Sequence, residues 1–163
     1  MTMCRTPRSA AAVRIVQPLA DGWRFRQDDR LTGAERPDFT DGDWQAVSVP
    51  HTWNRVGHYF PETADRVNRP EDINKVQGVG WYRLRFTPST GLAGRSVWLQ
   101  FDAASRTAEV WLNGVRLGEH AGGFSRFRLD ATDAIHLGEV NVLAVKVDNS
   151  APAGNRPTGS TLP

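Results

Sequence analysis

The stretch T-A-E-V-W-L-N-G-V-R-L, Thr107–Leu117, decides the fold. Ala108, Val110 and Leu112 alternate with Glu109 and Trp111, the period of two expected of a strand with one apolar face. Asn113-Gly114 follows. A type I′ turn needs positive φ at both central residues, and Asn-Gly adopts it cheaply, so Val115–Leu117 is the returning strand of a hairpin.

Outward from this hairpin the same period recurs. Upstream, Gly80–Thr87 places Tyr82, Leu84 and Phe86 opposite Arg83 and Arg85, and Ser96–Phe101 turns Val97, Leu99 and Phe101 inward. Pro88–Gly94 turns the chain between them, and the two runs are expected to form a long hairpin. Further upstream, Trp23–Gln27 alternates Trp23 and Phe25 with Arg24 and Arg26. Trp44–Val49 is a strand ended by Pro50. Downstream, Gly122-Gly123 marks a bend before a strand at Phe124–Leu129. Asp130–Ile135 reads as one helical turn, with Asp130 as N-cap and Asp133 near the positive helix start. Asn141–Asp148 is the last strand, with Leu143, Val145 and Val147 inward.

About eight short strands, one short helical turn and no long helix make an all-β fold, an antiparallel β-sandwich of the jelly-roll or galactose-binding-like kind. Two stretches lack a period. Asp28–Asp43 is a polar loop. His51–Gly78 is an aperiodic run too long for an ordinary connection, and such loops are commonly functional.

The chain has 163 residues, suited to one domain that buries roughly 70% of its unfolded surface. Residues 1–20 read as a leader, 21–150 as the sandwich and 151–163 as a linker or frayed end. Cys4 is the sole cysteine, which excludes a disulfide framework and a cysteine zinc site. The net charge is +2 without a run of basic residues, which argues against nucleic acid. No apolar stretch reaches the ~18 residues of a membrane span. The short run Ser9–Val13 falls below a signal peptide's apolar region, so a cytoplasmic location is expected.

No phosphate-binding, zinc-protease or serine-hydrolase motif is present. His51, His58, His120 and His136 lack metal-ligand spacing, so no metal or other cofactor is expected; His51 and His58 read as solvated or turn-capping. Glycoside hydrolysis needs two carboxyls across the scissile bond. Every carboxylate here has a structural explanation in a loop, a cap or a strand's polar face. Asp148, ending the last strand beside Asn149, is open to both an Asx-turn role and ligand contact. Six tryptophans, Trp23, Trp44, Trp53, Trp81, Trp98 and Trp111, are candidates for core packing or for stacking against sugar faces.

A-E-V-W-L-N-G-V-R-L-G-E-H-A-G-G-F-S-R-F-R-L-D-A-T-D-A-I from Ala108, and then G-E-V-N-V-L-A-V-K-V-D-N-S, resemble the N-terminal jelly-roll domain of glycoside hydrolase family 2. W-x-x-V-S-V-P-H-T-W-N at Trp44–Asn54 and G-V-G-W-Y-R-L-R-F at Gly78–Phe86 fit the same domain in the same order. The resemblance spans about Asp21 to Ser150. It implies a sugar-binding domain beside a (β/α)₈ barrel that carries two catalytic glutamates. The chain is then not an enzyme by itself, and its partners are a β-glycoside carbohydrate and the missing catalytic barrel. The resemblance also implies candidate sugar-binding residues His51, Trp53, Asp148 and Asn149, after the V-P-H and V-D-N strand ends. Family members continue into a G-G-I-x-R segment with no counterpart before Pro163. The chain is therefore expected to be a fragment that lacks a closing strand and either self-associates or is marginally stable.

Two alternatives stand beside this reading. One is a free-standing carbohydrate-binding module presenting exposed tryptophans. The other is an interdomain or oligomerisation module in which Trp98 and Trp111, on adjacent strands, form a patch for a neighbouring domain or protomer, with Asn113 and Gly114 as structural residues.

Overall fold

The structure, a computed structural model, describes residues 14–53 and 77–150. The stretch 54–76, with His58, and the two ends, 1–13 and 151–163, lie outside the described residues. Among the described residues eight strands form: β1 (Trp23–Gln27), β2 (Gln45–Val47), β3 (Val79–Phe86), β4 (Trp98–Phe101), β5 (Thr107–Leu112), β6 (Val115–Ala121), β7 (Phe127–Asp130) and β8 (Asn141–Asp148). Six of them build one antiparallel sheet in the order β2-β1-β3-β8-β5-β6, and β4 and β7 pair as a second, smaller sheet.

The sheets face each other across an apolar core. From the large sheet come Trp23, Phe25, Tyr82, Leu84, Ala108, Val110, Leu112, Leu143, Val145 and Val147; from the small one, Leu99 and Phe127. These are the inward residues that the alternation predicts, and the fold is the expected antiparallel β-sandwich.

One expectation needs correction. β3 and β4 do not form a hairpin. β3 pairs with β1 and β8, whereas β4 pairs with β7 in the opposite sheet. A period of two reports which face of a strand is apolar but not its partner, and here the connection crosses from one sheet to the other. That connection carries the short 3₁₀ helix, Thr90–Leu92, capped by the Ser89 hydroxyl accepting from the Gly91 N–H. Asp130 ends β7 and opens the expected single helical turn, closed by one i→i+4 bond from the Ile135 N–H to the Ala131 carbonyl. Its carboxylate caps that turn as expected, and hydrogen bonds from the Thr132 hydroxyl and N–H lower its pKa.

The outer face of β3 is covered. Arg83, which alternates with the inward Tyr82 and Leu84, is fully buried. The loop 28–44 lies over this face, and Ala34, Trp44 and Trp81 form a second apolar cluster beneath it, edged by Leu31, Phe39, Val79 and Trp111. The Arg83 Nε donates to Asp41 Oδ2 at 2.8 Å, and its Nη groups donate to the carbonyls of Ala34, Arg36 and Phe39. Arg85 Nη1 reaches both Asp41 oxygens at 2.6 and 2.7 Å. One carboxylate thus joins two strand arginines and fastens the loop to the sheet. The indole N–H groups of Trp44 and Trp81 are buried there without an acceptor among the described residues.

Asn113 adopts φ 53° and Gly114 φ 82°, the backbone of the expected type I′ turn. The Asn113 side chain adds a tie that no turn statistic contains. Its Nδ2 donates to the Ala134 carbonyl and to Asn141 Oδ1, and its Oδ1 accepts from the Val142 N–H at 2.9 Å. Asn141 is fully buried and also binds His136 and Glu139 backbone groups. Asn113→Ala should therefore lose about 2–3 kcal/mol in urea unfolding, combining positive-φ strain with unpaired buried groups. Asn113→Gly, which keeps the turn, should lose less.

Candidate functional site

Four strands come together where β3 begins and β8 ends. Gly80 pairs with Gln27 of β1, and Asp148 pairs with Val79 on one side and Thr107 of β5 on the other. Side chains tie this end closed. Asn149 Oδ1 accepts from the Gly78 N–H at 2.8 Å, and the Asn149 N–H donates back to the Gly78 carbonyl at 3.2 Å. Asp29 Oδ1 accepts from the Val79 N–H at 2.7 Å. Asp148 Oδ1 accepts from the Ser150 N–H at 2.8 Å, the Asx-turn arrangement. The Asp148 carbonyl accepts from the Arg106 N–H at 3.0 Å.

The same end is aromatic on its inner side. Trp53 stacks on Phe25 with centroids 5.5 Å apart and planes 16° from parallel. The strand allows this because residue 80 is glycine: a Cβ there would stand 2.9 Å from both Phe25 Cε2 and Trp53 Cζ3. His51 packs against Phe25 at 4.7 Å, and its Nδ1 lies 2.9 Å from the Tyr82 hydroxyl oxygen. Burial lowers the His51 pKa below the usual imidazole value and raises that of Tyr82. His51 is thus a ring-packed, hydrogen-bonded residue, where a solvated or turn-capping one was expected.

The structure brings His51, Trp53, Asp148 and Asn149 to one end of the large sheet, although they come from two segments far apart in sequence. It does not bring Trp98 and Trp111 together. Trp98 lies on β4 in the small sheet and is 54% exposed, whereas Trp111 lies on β5 in the large sheet, stacked on Trp81 at 5.6 Å. β4 and β5 are not neighbours, so cross-strand pairing of the two is ruled out. Asn113 and Gly114 stand at the far end of β5 from the candidate site. Trp23, Trp44 and Trp81 are buried and Trp53 and Trp111 half-buried, so five of the six tryptophans serve packing, and among the described residues there is no row of exposed rings.

Tyr82, Phe25 and Gly80 are site residues that the pattern alone missed, because each reads equally well as core. Among the described residues no group of three His, Cys, Asp or Glu side chains is placed to hold a metal ion. Among the described residues, the carboxylates at this end, Asp28, Asp29 and Asp148, each accept a backbone N–H. The arrangement offers ring faces, an imidazole and an exposed strand end.

Residues 16–155 match the family described as Glycosyl hydrolases family 2, sugar binding domain. The chain belongs to glycoside hydrolase family 2. This sugar-binding domain is 36% identical over 134 residues to a β-galactosidase of Bacteroides ovatus, covering 82% of the chain and 15% of that enzyme. It is 34% identical over 127 residues to a β-glucuronidase of Formosa agariphila, covering 78% of the chain and 13% of that enzyme. A family 2 member from Bacteroides cellulosilyticus superposes with a TM-score of 0.69 at 29% identity, over 82% of the chain and 18% of that structure. A β-glucuronidase of Bacteroides uniformis gives 0.69 at 29% identity, over 88% of the chain and 16% of that structure. The sugar-binding domain thus spans less than a fifth of the length of these larger proteins.

Proposed function

We propose that the chain is a non-catalytic carbohydrate-binding and support domain of a family 2 β-glycosidase. In this role it places His51, Trp53, Asp148 and Asn149 at the rim of a substrate pocket whose catalytic carboxylates lie in a separate barrel. The observation that carries the proposal is convergence. The V-P-H-T-W segment and the V-D-N strand end are distant in sequence, yet both arrive at the end of the sheet where β3 starts. Rings and polar groups gathered at one rim suit a ligand with both C–H faces and hydroxyls. The engagement of Asp29 and Asp148 with backbone N–H groups supports a binding role over general acid–base work.

The test is a chimaera in which residues 16–155 replace the matching segment of the Bacteroides ovatus β-galactosidase. The chimaera should hydrolyse a β-galactoside. Within it, Trp53→Ala and Asp148→Ala should each raise KM about fivefold, the scale of one lost contact, with kcat within about twofold. Unchanged KM in both variants would remove these residues from the pocket.

A further inference from the structure

Tyr82 is buried, and among the described residues its hydroxyl has one hydrogen-bonding neighbour, His51 Nδ1 at 2.9 Å. A phenol carries one proton, and a buried donor without an acceptor costs about 1–3 kcal/mol. If Nδ1 bore a proton, that proton would point at the phenol oxygen and the phenolic proton would have no acceptor among the described residues. The same conflict meets a doubly protonated ring. Both groups are satisfied only when the Tyr82 O–H donates to an unprotonated Nδ1. A neutral imidazole then carries its proton on Nε2.

The ring is also held mechanically. It packs tilted on Phe25 at 4.7 Å and edge-on to Tyr82 at 5.7 Å. His51 remains partly exposed, and its hydrogen bond among the described residues is made through Nδ1. We infer that Tyr82 is a positioning residue that fixes His51 as the neutral Nε2–H tautomer, so that His51 offers a hydrogen-bond donor to an oxygen of a bound glycoside. The tautomer follows from the geometry; the glycoside as acceptor rests on the proposed function above. Burial, which disfavours the cationic ring, acts in the same direction.

The test is long-range proton–nitrogen NMR of the full chain with ¹⁵N-labelled histidine at pH 7, His51 being assigned by its loss in His51→Gln. The expected pattern is an unprotonated, pyridine-type Nδ1 and a protonated, pyrrole-type Nε2. Tyr82→Phe keeps the ring in the core and should let both nitrogens drift toward tautomer-averaged values; a backbone spectrum as dispersed as that of the wild type shows the variant is folded. Adding methyl β-glucuronide or methyl β-galactoside should shift the Nε2 signal, and Tyr82→Phe should weaken that binding about fivefold. A protonated Nδ1 in the wild-type chain would overturn the positioning role. The inferred tautomer with an Nε2 signal unmoved by either glycoside would overturn the sugar-contact reading instead.

Discussion

Asp41→Ala is expected to destabilise the chain by about 3–4 kcal/mol, read as a lower midpoint in urea, because it leaves the fully buried Arg83 without its counter-charge. The three loop carbonyls that Arg83 also binds keep the effect from being larger. The loss should begin locally. Trp44 and Trp81 lie beneath the loop that Asp41 fastens, so tryptophan fluorescence should change before far-UV circular dichroism does. The same carboxylate gives a pH dependence. Burial pushes its pKa up, but hydrogen bonds and positive charge from Arg83 and Arg85 outweigh this and hold it below the ordinary value of 3.8. A depressed folded pKa means stabilisation that is complete above the unfolded value and lost as pH falls through the folded one. Wild type and Asp41→Ala should therefore converge in stability on acidification below about pH 4. A variant equal to wild type in urea at pH 7 would show that the buried arginine finds sufficient partners without Asp41.

Leu143→Ala should cost about 3–4 kcal/mol by a different mechanism. Leu143 is 1% exposed on β8, the strand flanked by β3 and β5, and its register partners are Leu84 and Leu112. Truncation removes apolar burial and leaves a cavity in a layer whose neighbours belong to the same sheet and cannot close in. Here fluorescence and circular dichroism should report one transition with a lowered midpoint. A loss below about 1 kcal/mol would mean that the two sheets are not packed through β8.

Much of this fold was legible because alternation and the Asn-Gly turn are local signals. Strand partnership was not, since the β3–β4 link joins two sheets and the alternation of each strand is the same whichever partner it takes. The Asp41–Arg83–Arg85 cluster was also hidden. Asp41 sits in an aperiodic loop, and arginines at alternate positions of a strand read as a solvated face. The available hint was Trp81, a large apolar residue on that nominally polar face, which Trp111 repeats on β5. Together they indicate that something covers the outer side of the sheet. The four candidate sugar-binding residues came from the ordered family motifs, and no spacing rule would have selected them. Tyr82 was passed over because a tyrosine alternating with Leu84 and Phe86 is indistinguishable in sequence from core.

Carbohydrate is proposed to meet this domain at the end of the large sheet where β3 begins. The most direct measurement is a backbone and side-chain NMR titration of the ¹⁵N-labelled chain with methyl β-galactoside and methyl β-glucuronide at millimolar concentration. Shifts are expected to concentrate at His51, the Trp53 indole, Gly78, Asp148 and Asn149. Largest shifts at Trp98 on the opposite sheet, or no shifts with either glycoside, would contradict it.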